Sequence, residues 1–145
     1  MKTDIPLLAP FYLIAATLIG LGDTFFLSYY HYLNLIPSCA FGGCEIVLTS
    51  VYSKFLGVPL SYIGLVYYVY MLALLVLLVI DPKSKVLRLG VLLYTAVGLL
   101  LSIAFEGIQI FLIGAICMYC AISALTTLVL FCLAIWHFRA TKSSL

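Results

Sequence analysis

Long apolar runs dominate the chain, and its polar residues fall in short clusters between them instead of alternating with them. Four runs approach the roughly 20 mostly apolar residues needed to cross about 30 Å of hydrocarbon. They cover about 5–27, 58–80, 86–105 and 113–137. Hydrocarbon requires each span to satisfy its own backbone groups, and a β-barrel would show alternating strands of ~10 residues, so the runs are predicted to be helices. The first run is longer than the roughly 7–15 apolar residues of a secretory signal core and other spans follow it, so it is read as retained. There is no repeat, low-complexity tract or Pro/Ser-rich linker. The expectation is an all-α membrane protein, a four-transmembrane-helix bundle forming a single domain over 1–145.

The segment between the first two spans, Tyr29 to Gly57, has a pattern of its own. Val47, Val51 and Phe55, with Leu48 and Leu56, recur at helical spacing, while Ser50, Ser53 and Lys54 lie between them. This predicts a short amphipathic helix lying on one end of the bundle, ended by Gly57, with Pro59 in the first turn of the next span.

Composition agrees with the pattern: 66% of the 145 residues are hydrophobic and 8% charged, against about 25% charged in soluble domains. Mean hydropathy is +1.30. Lys2, Lys83, Lys85, Arg88, Arg139 and Lys142 fall on one side of a four-span topology and only Lys54 on the other. By the positive-inside rule both termini and the Asp81-Pro82 turn are cytoplasmic, and the Tyr29–Gly57 loop faces outward. Tyr29, Tyr30 and Tyr32 then belong to an outer aromatic belt and Trp136 with His137 to an inner one. Topology accounts for the basic residues, so the net charge of +2 points to no nucleic-acid partner.

Four of the five cysteines come to the same outward side: Cys39 and Cys44 in the loop, Cys117 and Cys120 early in the fourth span. Outside a cell membrane, or in the lumen of the endoplasmic reticulum, paired thiols are normally disulfides. Taken alone, Cys39 and Cys44 read as a staple closing a small loop. The second pair shifts the reading. "CMYC" sets Cys117 and Cys120 on one helix face, within the ~7 Å between Cα atoms that a disulfide requires. So short a loop gains little stability from closure, which suits a redox switch better than a staple. A four-thiolate zinc site is the weaker reading, because one pair sits at a lipid boundary where a doubly negative shell is costly. Cys132 lies roughly 18 Å further along the helix than Cys120, out of reach of the cluster, and is expected to be a buried thiol packing as a small apolar residue. Gly42 and Gly43 give the loop a hinge.

"CEIVLTSVYSKFLGVPLSYIG" (Cys44 to Gly64), preceded by Cys39 and followed by "IGAICMYCAISA" (Ile113 to Ala124), resembles the vitamin K epoxide reductase family, above all its prokaryotic members. The resemblance runs from about Gly20 to Ala124. Met118 stands where many relatives have proline. Leu60 and Ala124 stand where animal members place an asparagine and a tyrosine, which points to quinone reduction in preference to epoxide reduction.

The resemblance implies a quinone of the ubiquinone, menaquinone or vitamin K type as electron acceptor, no metal, and a thiol relay. In that relay Cys39 exchanges with a thioredoxin-like (DsbA-like) extracytoplasmic partner, Cys44 passes electrons to Cys117, and Cys120 faces the quinone beside Ser50. Many prokaryotic relatives carry the thioredoxin-like domain fused at the C-terminus. This sequence reaches Leu145 without one, so a separate partner protein is expected. The implied location is the cell (inner) membrane, and the implied role is disulfide formation in exported proteins.

Among the remaining polar residues, Asp23 lies late in the first span and reads equally as a functional intramembrane carboxyl or as a solvated cap. Glu106 and Gln109 are expected in the outer turn before the fourth span, Glu106 as an interfacial charge and Gln109 within reach of the pocket. Glu45 is expected to be solvated, His31 to anchor at the interface, and Tyr62 to be the tyrosine of the second span best placed to touch a ring. The competing readings are an epoxide or quinone reductase of the endoplasmic reticulum type, and a non-catalytic membrane subunit whose cysteines are staples.

Overall fold

The computed structural model describes residues 5–143; Lys2, one of the charges used to orient the chain, lies outside them. Five helices follow in order: α1 (Ile5–Tyr32), α2 (Cys44–Thr49), α3 (Leu60–Ile80), α4 (Lys85–Ile108) and α5 (Met118–Ser143). Four stretches are long and apolar enough to cross a membrane: Leu8–Tyr32, Leu60–Ile80, Lys85–Ile113 and Met118–Lys142. The chain is a multi-pass membrane protein built as a four-helix bundle.

Two spans run further than the apolar pattern indicates. α1 continues past Leu27 through Tyr32 because nothing breaks it before Asn34, whose left-handed backbone (φ 54°) closes the helix. Tyr29, Tyr30 and Tyr32 are therefore helical. α4 continues past Phe105 and ends in a π-turn, Gln109–Ile113, stopped by left-handed Gly114 (φ 72°). Glu106 and Gln109 consequently lie in a helix, and α5 starts at Met118 instead of Ile113.

The loop helix is shorter than expected. α2 ends at Thr49, and Ser50 is extended (φ −69°, ψ 159°). A 3₁₀ turn at Val51–Ser53 leads into a minimal hairpin, β1 (Lys54–Phe55) and β2 (Val58–Pro59), paired Lys54 to Pro59 and Phe55 to Val58. Leu56 (φ 52°) and Gly57 (φ 83°) form its turn, and two positive φ angles in sequence match the twist of a tight hairpin. Val51, Phe55 and Leu56 are exposed, not gathered on a buried face.

α1 packs against α3 and α5, α5 against α4, and α3 meets α4 to close the bundle. Leu13 and Ala16 of α1, Tyr68, Met71, Leu75 and Leu78 of α3, Val91 of α4 and Leu130 and Ala134 of α5 form the main core. Tyr68 is its largest member. Its ring lies against Gly20, and its hydroxyl donates across to the Ser123 carbonyl at 3.0 Å. Tyr67 and Tyr94 stack at 4.7 Å and each donates to the other's carbonyl, at 3.4 and 3.1 Å, tying α3 to α4. Such pairings satisfy polar atoms that would be costly in hydrocarbon.

Several residues sit otherwise than expected. Cys132 is exposed on the apolar outer surface of α5, so it packs against no core. Trp136 is exposed, but His137 is buried in the bundle and belongs to no belt. Arg88 is buried too: its guanidinium folds back onto the carbonyls of Lys83 (3.2 Å) and Ser84 (3.4 Å). Ser84 also caps α4, accepting the Leu87 N–H at 3.3 Å.

Gly20 provides the test of this packing. A Cβ there would meet the fully buried Tyr68 ring, which is pinned by its hydrogen bond, whereas Gly22 faces open space. Gly20→Leu is expected to cost about 1–3 kcal/mol, seen as a lower thermal unfolding midpoint in detergent, with Gly22→Leu close to the parent.

Candidate active site

At the end of the bundle formed by the α1 C-terminus and the α5 N-terminus, two cysteine elements meet. Cys39 and Cys44 are joined as a disulfide, with Cα atoms 5.7 Å apart. Gly42 takes a left-handed backbone (φ 72°) between them, and Gly43 lies directly against the Ile116 carbonyl, leaving no room for a side chain. That close approach sets Cys44, the first residue of α2, against Cys117, the residue before α5. The Cys117 thiol donates to Cys44 Sγ at 3.6 Å, and both residues have 0% exposure. Val47 packs with them, and Leu48, Ile113, Met118 and Tyr119 surround the cluster.

The backbone holds Cys117 in place from two sides. Its N–H donates to Gln109 Oε1 at 2.9 Å. The π-turn makes this possible by turning Gln109 inward, where it is buried at 4% exposure, and π-turns recur at functional sites. On the other side the Cys117 carbonyl accepts the Ala121 N–H at 3.0 Å as α5 begins. The Cys117 thiol, which lies between the spans, is lowered to about 7. The chief cause is the hydrogen bond from the Cys120 thiol. The N–H groups of Cys120 and Tyr119 at the helix start lower it further, while burial and the Asp23 charge oppose the shift. The lowered pKa makes Cys117 the more readily ionised thiol of its pair, which suits a nucleophile or leaving group in thiol exchange.

Tyr119, inside the C-x-x-C, links the two elements a second time. Its hydroxyl donates to the Ser38 carbonyl, next to Cys39, at 2.9 Å, and its ring packs on Phe26 at 5.4 Å. Cys39 itself is partly exposed.

Beneath this cluster a cavity of about 190 Å³ opens between the helices. Cys120 reaches it, as do Asp23, His31, Glu106 and Gln109. Leu60 and Ala124 also line it, leaving its walls apolar at these two positions. Ser50 and Tyr62 do not line it. Ser50 donates its hydroxyl to the Val47 carbonyl at 2.7 Å, and Tyr62 packs edge-on against His31 with centroids 5.7 Å apart. Helix α2 ends one residue before Ser50, so the residue turns with the extended chain and away from the pocket. Tyr67 and Tyr68 take the place assigned to Tyr62.

Sequence reasoning missed the roles of Tyr119 and His31 in this geometry. The position of Tyr119 between two cysteines was a visible signal; His31 gave none, because its access to the cavity depends on α1 extending to Tyr32. Glu45 is exposed, and no three His, Cys, Asp or Glu side chains are arranged to hold a metal ion among the described residues.

The model of the family described as "Vitamin K epoxide reductase family" matches residues 11–135. The chain belongs to that family. A search of curated proteins found no match. Membership of the vitamin K epoxide reductase family points to an oxidoreductase, and the cysteine cluster lies wholly within the matched residues.

Two measurements probe the site. In reduced protein with Cys39, Cys44 and Cys132 replaced, thiolate absorbance of Cys117 is expected to titrate near pH 7. Cys120→Ala removes the hydrogen bond that stabilises the anion, so the midpoint is expected to move up. Tyr119→Phe deletes one hydrogen bond to the loop, an expected loss of about 0.5–1.5 kcal/mol, and faster proteolysis between Ser38 and Gly43 would report the loosened loop.

Proposed function

We propose that the protein takes two electrons from a thioredoxin-like extracytoplasmic protein and delivers them to a membrane quinone, so that disulfides form in exported proteins. The observation that carries this reading is the 3.6 Å contact between Cys44 and Cys117 Sγ atoms, which joins a partly exposed disulfide to a dithiol at the cavity.

The chemistry is successive thiol–disulfide exchange. A partner thiolate attacks Cys39 Sγ, the Cys39–Cys44 bond breaks, and Cys44 leaves as a thiolate. Cys44 then attacks Cys117 in an oxidised Cys117–Cys120 pair, and Cys120 leaves. The partner's second thiol releases its disulfide and frees Cys39, which attacks Cys44 and displaces Cys117. The result is a Cys39–Cys44 disulfide beside a Cys117/Cys120 dithiol, the state that the structure matches. Oxidation of that dithiol by quinone completes the cycle: a partner dithiol and a quinone become a partner disulfide and a hydroquinone.

Burial supports this order. Cys39 is the only member of the loop pair reachable by a soluble protein, whereas Cys120 lines the cavity. At about 190 Å³ the cavity is smaller than the roughly 300–1,000 Å³ of sites enclosing a whole drug-sized ligand. It suits a quinone ring whose tail remains in lipid. Leu60 and Ala124 on its wall favour a quinone over an epoxide. Lys83, Lys85, Arg139 and Lys142 lie at the bundle end away from the cysteines, which by the positive-inside rule puts the cysteines outside.

The test is quinone absorbance in a mixture of purified protein, a soluble quinone and a reduced thioredoxin-fold protein. Cys39→Ser and Cys120→Ser are each expected to lose at least about 100-fold in turnover, since each removes a sulfur that must exchange. Turnover at the parent rate in both variants would end the relay.

A further inference from the structure

Of the polar groups that the relay leaves without a task, one stands out by an unpaired buried oxygen on the cavity wall. Asp23 sits on its wall, on α1, and its Oδ2 is buried with no hydrogen-bond partner among the described residues. Buried polar atoms in native structures are nearly always paired, and an unpaired one needs an explanation. Several hydroxyls that line the cavity are engaged with other partners. Thr24 donates to the Gly20 carbonyl at 2.9 Å, Tyr68 bonds to Ser123, Tyr67 donates to Tyr94, and Thr127 bonds to Ser102 and Ala124. Ser28 Oγ is also unpaired, but Ser28 does not line the cavity.

A carboxyl in an apolar span is costly to keep and commonly marks function. An ionised carboxylate only accepts hydrogen bonds, and so does a quinone carbonyl, so the two can meet only through a proton on the carboxyl. Reduction of a quinone by a dithiol also requires such a proton. Two electrons leave the sulfurs as the Cys117–Cys120 bond forms, and two protons must reach the two ring oxygens.

We propose that Asp23 is the catalytic acid of the quinone site, carrying a proton to one carbonyl oxygen of the quinone in the cavity. This rests on the quinone reading above. The Cys120 thiol proton passes to the Asp23 carboxylate after Asp23 has given its own to the ring oxygen, so that residue ends unchanged. The proton that Cys117 gives up on ionising is matched by the one that the second ring oxygen takes up, so two electrons and two protons in all pass from the dithiol to the hydroquinone. The arrangement lets the ring oxygen accept charge without water in the cavity. Glu106 and His31 line the cavity as well, but His31 is two turns further along α1, roughly 12 Å from Asp23, and neither has a buried oxygen or nitrogen lacking a partner among the described residues.

The experiment uses the full chain in lipid or detergent. Asp23→Asn keeps the shape and removes the transferable proton. It is expected to slow reduction of a soluble quinone by about 100-fold or more, while oxidised Asp23→Asn still takes electrons from a reduced thioredoxin-fold protein when no quinone is present, with a far smaller change in rate. Equal quinone reduction by variant and parent would overturn the role of Asp23 and leave the relay standing. A parent that oxidises the reduced partner but never reduces the quinone would overturn the quinone reading, and this inference with it. A second measurement needs no substitution. A lipid-soluble carbodiimide, which reacts with protonated carboxyl groups in apolar surroundings, is expected to modify Asp23 in the parent, and the soluble quinone to protect it. Modification at the same rate with and without quinone, or none at all, would likewise overturn the proposal.

Discussion

Two sulfur atoms 3.6 Å apart and shut off from solvent constrain everything around them. Sulfurs at that separation are one small displacement from exchange, and thiolate attack on a disulfide tolerates little error in approach. Much of the local sequence is accounted for by holding this contact. Gly43 lets the loop backbone touch Ile116; the π-turn brings Gln109 under the Cys117 N–H; Tyr119 fastens the strand of chain leading into Cys39. Each is a separate interaction, and each fixes the position of one of the two cysteine elements relative to the other.

Around that contact the bundle separates two environments. On one side Cys39 is partly exposed; on the other Cys120 opens into an apolar cavity walled by α1, α3, α4 and α5. A relay needs this asymmetry, because an aqueous protein and a lipid-soluble ring cannot approach the same sulfur. The hydrogen bond from the Cys120 thiol, aided by the N–H groups at the start of α5, supplies the remaining element, a Cys117 thiol whose pKa is lowered. It can leave readily when attacked and attack readily when free. Membership of the vitamin K epoxide reductase family fits this division of labour.

The sequence made the bundle legible because its signal is crude and strong: four long apolar runs admit few other folds. The two cysteine pairs were legible for the same reason, since topology alone sends Cys39, Cys44, Cys117 and Cys120 to one end. What failed was local. Apolar content says where hydrocarbon begins, not where a helix stops, so the extensions to Tyr32 and Ile113 were missed, and with them the helical setting of Glu106 and the access of His31 to the cavity. Helical spacing of Val47, Val51 and Phe55 suggested one amphipathic helix, but the left-handed pair Leu56 and Gly57 demanded a hairpin, and the break at Ser50 that leads to it turned that side chain away from the pocket. Cys132 reads as a buried residue only if a span is buried throughout, whereas a four-helix bundle turns much of each helix to lipid, and Cys132 is exposed there.

The central claim is that electrons cross between Cys44 and Cys117. Acid quenching of a single turnover, with thiols blocked and peptides mapped by mass spectrometry, observes that crossing directly in the unmodified protein. A peptide pair linked through Cys44 and Cys117 should rise before the partner disulfide is released and decay before the quinone is reduced. A linkage that never forms, or that forms more slowly than the quinone is consumed, would contradict the account.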